Sequence, residues 1–316
     1  MRPASSPGAR CLPAVTRTRV LLTGASGLIG SAVTARLAST GSEVVRLVRR
    51  PPRDGAERFW DPERGTLDPE SFAGVDAVVH LAGASVGEGR WTAARKRELY
   101  RSRVEGTRLL CERLAQLAVP PRVLVSASGV GYYGDRAEAT LVEASEPGEG
   151  FLATLGRDWE AATATAEERG VRVVRLRTGL VLTREGGALA ELLPLFRLGL
   201  GGPLGSGRQW WSWITIADYL AVMDAALADE HMRGAVNVVS PGPVRNAEFA
   251  RTLGRVLHRP ALLPAPALAL RIILGREKAN EMLLTSTRAE PRRLLDLGFR
   301  FRHPELEPAL RSIVGS

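Results

Sequence analysis

Arg19-Val-Leu-Leu-Thr-Gly-Ala-Ser-Gly-Leu-Ile-Gly30 is the stretch on which the reading of this chain turns. Its apolar run, Val20 to Leu22, has the continuity of a short strand buried on both faces. Gly24, Gly27 and Gly30 follow with the spacing G-x-x-G-x-x-G, and Leu28, Ile29, Val33 and Leu37 then open a helical pattern. Strand, glycine turn and helix in that order aim unpaired helix N–H groups and the positive end of the helix dipole at an anion. A glycine at the strand end permits the tight turn, a second lets a pyrophosphate approach the backbone, and a third brings the helix close to the sheet. The reading is a dinucleotide-binding turn, with Thr23, Gly24, Ser26, Gly27, Leu28, Ile29 and Gly30 as contact residues. The alternative is a glycine-rich turn in some other α/β protein.

Downstream, Glu43 to Arg50 reads as the second strand, closed by Pro51-Pro52. An NAD site places an acidic residue near this strand's end to bind the ribose hydroxyls. Arg49 and Arg50 stand there instead, which suits a 2′-phosphate and favours NADP(H); the alternative is two solvated arginines. Asp76 to Gly83 is another buried strand running into a glycine turn, so Leu81, Ala82, Gly83 and Ala84 are expected to border the cofactor. His80, inside the apolar run, reads as a hydrogen-bonded core histidine rather than a catalyst. A long helix spans about Thr92 to Leu117 and is stopped by Pro120-Pro121. The next strand, Arg122 to Ser128, releases into Gly129-Val-Gly-Tyr-Tyr-Gly134. Ser128 at that strand end can hydrogen-bond a substrate carbonyl or hydroxyl, with Tyr132 and Tyr133 near enough in sequence to share the site.

Glu138, Glu143, Glu146 and Glu149 lie in a loop expected to be flexible and without chemistry. Phe151 to Arg169 reads as a helix and Val171 to Arg177 as a further strand. The alternation of strand and helix predicts an α/β fold, a doubly wound parallel Rossmann sheet. Beyond Gly179 the composition changes. Gly199 to Trp213 is glycine-rich and ends in aromatics; as a lid it would offer Arg208, Gln209 and Trp210 to a ligand, and as a structural loop its tryptophans would anchor it on the core. A helix begins near Asp218, Ala235 to Val239 is a late strand, and the remainder from Asn246 is largely helical. The division expected is a tail over 1–17, a cofactor domain over 18–182 plus 213–240, and a smaller, mainly helical substrate lobe over 183–212 plus 241–316.

The chain has 316 residues, 45% hydrophobic and 24% charged, as in ordinary globular proteins. Its net charge of +9 rests on 43 basic residues, of which only Lys96 and Lys278 are lysines. The arginines are spread along the chain rather than clustered, so no nucleic-acid surface is expected. No apolar run is long enough to cross a bilayer. Cys11 and Cys111 have no zinc or redox spacing, and no H-E-x-x-H or G-x-S-x-G occurs, so metal and acyl-transfer chemistry are unsupported. A cytoplasmic monomer or homodimer acting on a small molecule is the expectation. Residues 1–17, rich in Pro, Ser, Ala and Arg, read as a disordered tail or, less simply, a transit peptide.

Thr23-Gly24-Ala-Ser-Gly27-Leu-Ile-Gly30, Leu81-Ala-Gly83, Ser128 followed by Tyr-Gly, and Trp213-Ile-Thr-Ile-Ala-Asp218 together resemble the extended short-chain dehydrogenase/reductases. Phe151-Leu-Ala…Trp159-Glu160, Gly201-Gly-Pro-Leu-Gly-Ser-Gly-Arg-Gln209, Leu257-His-Arg-Pro-Ala261 and Leu297-Gly-Phe-Arg-Phe301 are similar to its branch of epimerase family proteins, which carry a small C-terminal domain of undefined role. The resemblance implies hydride transfer with nicotinamide, often on sugar nucleotides, by a serine and a Tyr-x-x-x-Lys pair. Here those positions fall on Leu152 and Gly156, and no lysine occurs between Lys96 and Lys278. Two functions follow: an NADP(H)-dependent oxidoreductase or epimerase using Ser128 and Tyr132 or Tyr133, or a catalytically silent NADPH-binding sensor. A sugar-nucleotide diphosphate would need Arg208, Arg255 or Arg259.

Overall fold

The structure is a computed structural model, described here over residues 18–315; the expected tail over 1–17 lies outside the described residues. Eight strands form the main sheet: β1 (Arg19–Thr23), β2 (Glu43–Val48), β3 (Glu57–Asp61), β4 (Thr66–Leu67), β5 (Ala77–His80), β6 (Val123–Gly129), β7 (Arg172–Thr178) and β8 (Gly234–Val238). Their order is β8-β7-β6-β5-β1-β2-β3-β4, parallel at every junction except β3 with β4. From β1 the chain runs outward through β2 and β3, then returns to the other side of β1 as β5. This reversal leaves a crevice beyond the carboxyl ends of β1 and β5, where α/β proteins bind their ligands. Thr23 pairs with His80, so both strands end at one level and their two turns meet.

Apolar residues on alternate sides of each strand bury both faces of the sheet. Val20, Leu22, Val79 and Val125 pack under helices Leu28–Ser39 and Ile216–Ala228. Leu21, Val78 and Leu124 pack under helices Gly106–Ala115 and Ala164–Glu168. A separate core joins helices Gly187–Arg197, Asn246–Leu257 and Leu306–Val314 through Leu193, Phe196, Phe249, Leu253 and Leu310. Residues 292–301, expected in the outer lobe, return to the main core: Leu294 is buried there, with Phe299 and Phe301 against it.

Several elements differ from the expectation. β3 and β4 were not anticipated, because a five-residue and a two-residue strand leave too little pattern to read. The helix of 92–117 is found as Ala93–Tyr100 and Gly106–Ala115, joined by a π-helical turn at Arg101–Glu105. The helix expected over 151–169 is split into Phe151–Ala161 and Ala164–Glu168. At the break the Thr163 hydroxyl donates to the Glu160 carbonyl at 2.7 Å, a local bond that competes with helix continuation. The acidic loop is tied rather than loose. Glu138 pairs with Arg245 at 2.6 Å, and Glu143 Oε1 accepts from the backbone N–H groups of Asn237 and Arg293.

Candidate functional site

Each glycine of the 24–30 turn has a different neighbour. Gly24 adopts φ +71°, and a Cβ there would stand 2.7 Å from the Leu81 carbonyl carbon. At Gly30 a Cβ would lie 2.0 Å from the Gly24 oxygen, so the helix touches the turn backbone to backbone. Gly27 is exposed, and its Cβ position meets only the Gly24 oxygen, at 3.4 Å. Gly27 is also the N-cap of helix Leu28–Ser39, which has no side-chain cap and no acid in its first turn. The helix N–H groups are therefore open to an anion, and the glycine leaves the space for it. Ser26 is exposed beside them; Leu28 and Ile29 are half-buried, and Leu28 lies under Gly186 and Gly187 of the following lobe.

Thr23 does not face the crevice. It is fully buried, and its Oγ1 accepts from the N–H groups of Leu81 and Ala82, both at 3.1 Å. With both lone pairs engaged, its hydrogen goes to His80 Nδ1 at 2.8 Å, which leaves His80 to donate from Nε2 to Thr107 Oγ1 at 2.9 Å. Thr107 also accepts from Trp159 Nε1 at 2.9 Å. The role expected of Thr23 as a cofactor contact is thus corrected to that of a clamp between the β1 and β5 turns. His80 is the core histidine the sequence predicts, and burial pulls its pKa down to about 4. The sign of its linkage follows: the folded state needs neutral imidazole, so its contribution is complete above the unfolded value of about 6.5 and is lost as pH falls toward 4. Urea unfolding at a series of pH values is expected to show His80→Asn losing about 3 kcal/mol less than wild type between pH 7 and pH 4. Equal losses would remove His80 from the acid response.

Arg49 and Arg50, adjacent in sequence, separate in function. Arg50 makes a bidentate pair with buried Glu57 on β3, at 2.6 and 2.7 Å. The Arg50 guanidinium and the Arg53 N–H pull the Glu57 pKa down to about 2. Arg50 is therefore engaged in holding β3 to the end of β2. Arg49 is exposed and, among the described residues, has no hydrogen-bond or ion-pair partner.

At the end of β6, Ser128 is buried and donates to Glu160 Oε1 at 2.7 Å. Glu160 in turn receives a bidentate contact from Arg177 of β7, both bonds at 2.8 Å. Burial alone would weaken protonation of Arg177, but the hydrogen bonds and charge of Glu160 raise its pKa. Its guanidinium stacks 3.5 Å from the Tyr132 ring centroid and donates to the Tyr133 hydroxyl at 2.9 Å. Tyr133 is fully buried, and its hydroxyl donates to Asn237 Oδ1 at 2.6 Å. Burial pushes its pKa up to about 12. The expectation that Tyr133 shares the catalytic role is corrected: it is a core residue with its hydroxyl in use. Tyr132 is half-buried, and its hydroxyl has no partner among the described residues.

The missing Tyr-x-x-x-Lys pair is replaced by tight packing. A Cβ at Gly156 would lie 3.2 Å from the Tyr132 Cα, and one at Gly131 would lie 3.1 Å from the Leu152 Cβ. Helix Phe151–Ala161 thus seats directly on the 130–133 turn. From the C-terminal lobe Glu281 accepts from the N–H groups of Phe151 and Leu152 at 2.9 and 2.7 Å, capping that helix.

The glycine-rich 199–209 loop is held against residues 247 and 263–265. Its backbone bonds to Leu263, Ala265 and Ala247, and a Cβ at Gly202 would lie 2.1 Å from the Leu263 oxygen. Gln209 is buried and donates to the Leu204 and Leu283 carbonyls, each at 3.0 Å. Trp210 lies near the guanidinium groups of Arg245 and Arg288, at 4.3 and 4.6 Å, and donates to Glu138. Gln209 is thus corrected from a ligand contact to a structural anchor, and Trp210 is half-buried against the two guanidinium groups. Arg208 remains exposed. Arg255 and Arg259 line an open surface groove, in which Arg255 pairs with Glu307 and Arg259 donates to the carbonyl of Arg197, at the far end of the helix that begins beside Leu28. They are not in the crevice.

Glu160, Arg177 and Arg103 were not singled out for roles from the sequence. Arg103 carried a readable signal, since it interrupts the buried helical stripe Leu99, Thr107, Cys111 and Leu114. Among the described residues no group of three or more His, Cys, Asp or Glu side chains is placed to hold a metal, and no helix is long and apolar enough to cross a membrane.

With this geometry in view, comparison with known proteins places the chain. The family model of the NAD dependent epimerase/dehydratase family matches residues 20–238, and that of a domain of unknown function, DUF1731, matches residues 265–313. An epimerase family protein of Mycobacterium tuberculosis is 44% identical over 92% of this chain and 96% of its own. The human epimerase family protein SDR39U1 is 39% identical over 94% of this chain and 99% of its own. The crystal structure of human SDR39U1 isoform 2 with NADPH matches at a TM-score of 0.86 and 36% identity, covering 95% of this chain and 100% of that one. MoeE5 in complex with UDP-glucuronic acid and NAD shares the fold, at a TM-score of 0.73 and 23% identity, over 94% and 98% of the two chains. The strand–glycine–helix cradle, the sheet order and these matches agree: the chain belongs to the NAD dependent epimerase/dehydratase family, within the extended short-chain dehydrogenase/reductases.

Proposed function

We propose that this chain binds NADP(H) in the crevice and acts as an oxidoreductase or epimerase-type enzyme on a small carbonyl or hydroxyl substrate, with nucleotide sugars as a candidate class. The observation that carries the reading is the open Gly27 position facing an uncapped helix N-terminus, with unpaired Arg49 at the end of β2. The cradle suits a pyrophosphate and Arg49 a 2′-phosphate. The human relative crystallised with NADPH supports the choice of cofactor. Gly83 and Ala84 border the same crevice, and the division into a cofactor unit and a smaller substrate lobe belongs to this proposal.

Bound NADPH would supply a hydride donor. Ser128 has its hydrogen committed to Glu160, so its lone pairs are presented to a substrate hydroxyl. Tyr132, whose hydroxyl has no partner among the described residues and whose ring is stacked on Arg177, is the candidate proton donor. A second reading, a catalytically silent NADPH sensor, is favoured by Leu152 and Gly156 at the expected Tyr and Lys positions.

Single-turnover oxidation of protein-bound NADPH, followed by its fluorescence against pooled carbonyl metabolites and sugar nucleotides, separates the two. The enzyme reading expects oxidation that slows at least about tenfold in Ser128→Ala and Tyr132→Phe. Tight NADPH binding with no oxidation by any pool would transfer the conclusion to the sensor. In the same titrations Arg49→Ala is expected to weaken NADPH binding about tenfold and leave NADH unchanged, the effect of one charge-assisted contact.

A further inference from the structure

We propose that Arg103 is an anion-binding residue of the crevice, receiving a negatively charged phosphate or carboxylate oxygen of the ligand held over Gly83. The assignment deepens the NADP(H)-binding reading and rests on it. Arg103 is 9% exposed, yet among the described residues it has no carboxylate partner. Of its five N–H donors only one has a recorded acceptor, the Leu99 carbonyl at 3.4 Å, a long bond. Burial, with repulsion from Arg95, lowers its pKa to about 10. Its remaining nitrogens are not sealed off from solvent, so a nearly buried cation keeps donors that a ligand can reach and complete.

Its surroundings say from which side the ligand arrives. One face of the guanidinium lies 5.1 Å from the Trp159 ring centroid. On another side stands Gly83, where a Cβ would come within 3.1 Å of the guanidinium carbon and 3.2 Å of Nη2. Gly83 is exposed at the carboxyl end of β5, so only a glycine backbone separates the cation from the crevice. The π-helical turn at Arg101–Glu105 carries Arg103 at this point, and π-turns inside helices are frequent at functional sites. Trp159 lies one turn beyond Gly156 on helix Phe151–Ala161, which seats on the 130–133 turn. Arg103 thus brings a cation to this part of the crevice from the neighbouring helix.

The test compares wild type with Arg103→Met, which keeps the apolar stem, and Arg103→Lys, which keeps the charge with a shorter reach. Each is measured for melting temperature without ligand and for affinity toward NADPH and adenosine 2′,5′-bisphosphate. Arg103→Met is expected to melt no lower than wild type and to bind NADPH at least tenfold more weakly, with adenosine 2′,5′-bisphosphate unchanged. That pattern assigns the anion to the nicotinamide half of the cofactor. If NADPH affinity holds, malonate and inorganic phosphate are titrated into the NADPH complexes. Quenching of bound NADPH in wild type and its loss in Arg103→Met would assign the anion to a substrate.

A lower melting temperature with unchanged NADPH, malonate and phosphate binding would overturn the proposal and leave Arg103 as packing for Trp159. Should Arg103→Met fail to fold, Arg103→Lys decides in its place: weaker ligand binding with the fold intact supports the proposal, and unaltered binding overturns it. Wild-type protein that binds no NADPH removes the functional reading and this assignment together.

Discussion

Gly27→Val is expected to weaken NADPH binding about a hundredfold, or about 3 kcal/mol, while unfolding in urea within about 1 kcal/mol of wild type. Gly27 has φ −76° and ψ 169°, extended backbone that any residue adopts. Its Cβ position is open apart from the Gly24 oxygen at 3.4 Å, so the side chain is accommodated by the fold and enters the space in front of the helix N–H groups. Gly30→Ala provides the contrast. There the added carbon would lie 2.0 Å from the Gly24 oxygen and 2.8 Å from its carbonyl carbon. Backbone cannot swing aside as a side chain does, so helix and turn must separate, at about 3 kcal/mol or more. One glycine therefore serves the ligand and the other the fold. Wild-type NADPH affinity in Gly27→Val would refute the cradle.

Glu160→Ala is expected to cost about 3–5 kcal/mol of folding stability, because it leaves the buried Arg177 guanidinium without its bidentate partner. Ser128 loses its acceptor in the same step, so the hydroxyl that the proposed chemistry uses is no longer held in place. Glu160→Ala with Arg177→Met is expected to be more stable than Glu160→Ala alone, since the second change removes the stranded charge. Urea unfolding of the four proteins of this cycle measures both effects. A loss below about 1 kcal/mol in Glu160→Ala would show that the pair is solvated rather than buried.

The two lysines of the chain illustrate how far local pattern reaches. Lys278 is buried and donates to the Gly87 and Gly89 carbonyls at 2.5 and 2.7 Å, while Lys96 pairs with Glu277 at 2.9 Å. Lys278 ties the loop after β5, and Lys96 the helix Ala93–Tyr100 that follows it, to the segment around residues 277–278. Nothing in the neighbourhood of either residue announces this, since the partners lie more than 180 residues away along the chain. Tyr133 meets the same limit, with Asn237 104 residues away, and Arg50 a shorter form of it, with Glu57 seven residues on in the next strand. Arg50 looks as free as Arg49 until β3 folds alongside β2 and presents Glu57. Tyr133 looks as available as Tyr132 until β8 places Asn237 against its hydroxyl. The 199–209 loop reads as a lid because glycines permit motion, yet Gly202 is packed against the Leu263 backbone and Gly201, Gly205 and Gly207 against the side chains of Phe196, Leu284 and Ala247.

What the sequence determined by itself was everything governed by short-range periodicity and backbone sterics. That comprises the β1–turn–helix cradle, the parallel alternation that produces a doubly wound sheet, the crevice at its switch point, and His80 as a core residue. Tertiary structure alone decided which polar side chains are free to act. A hydroxyl or guanidinium is spent or available according to what lies within about 3 Å of it. In a sheet whose order departs from chain order, those neighbours come from elements far apart in sequence. Thr23, Tyr133, Gln209 and Trp210 are spent in this way and Arg50 on the neighbouring strand β3, while Tyr132 and Arg49 keep polar groups without a partner among the described residues.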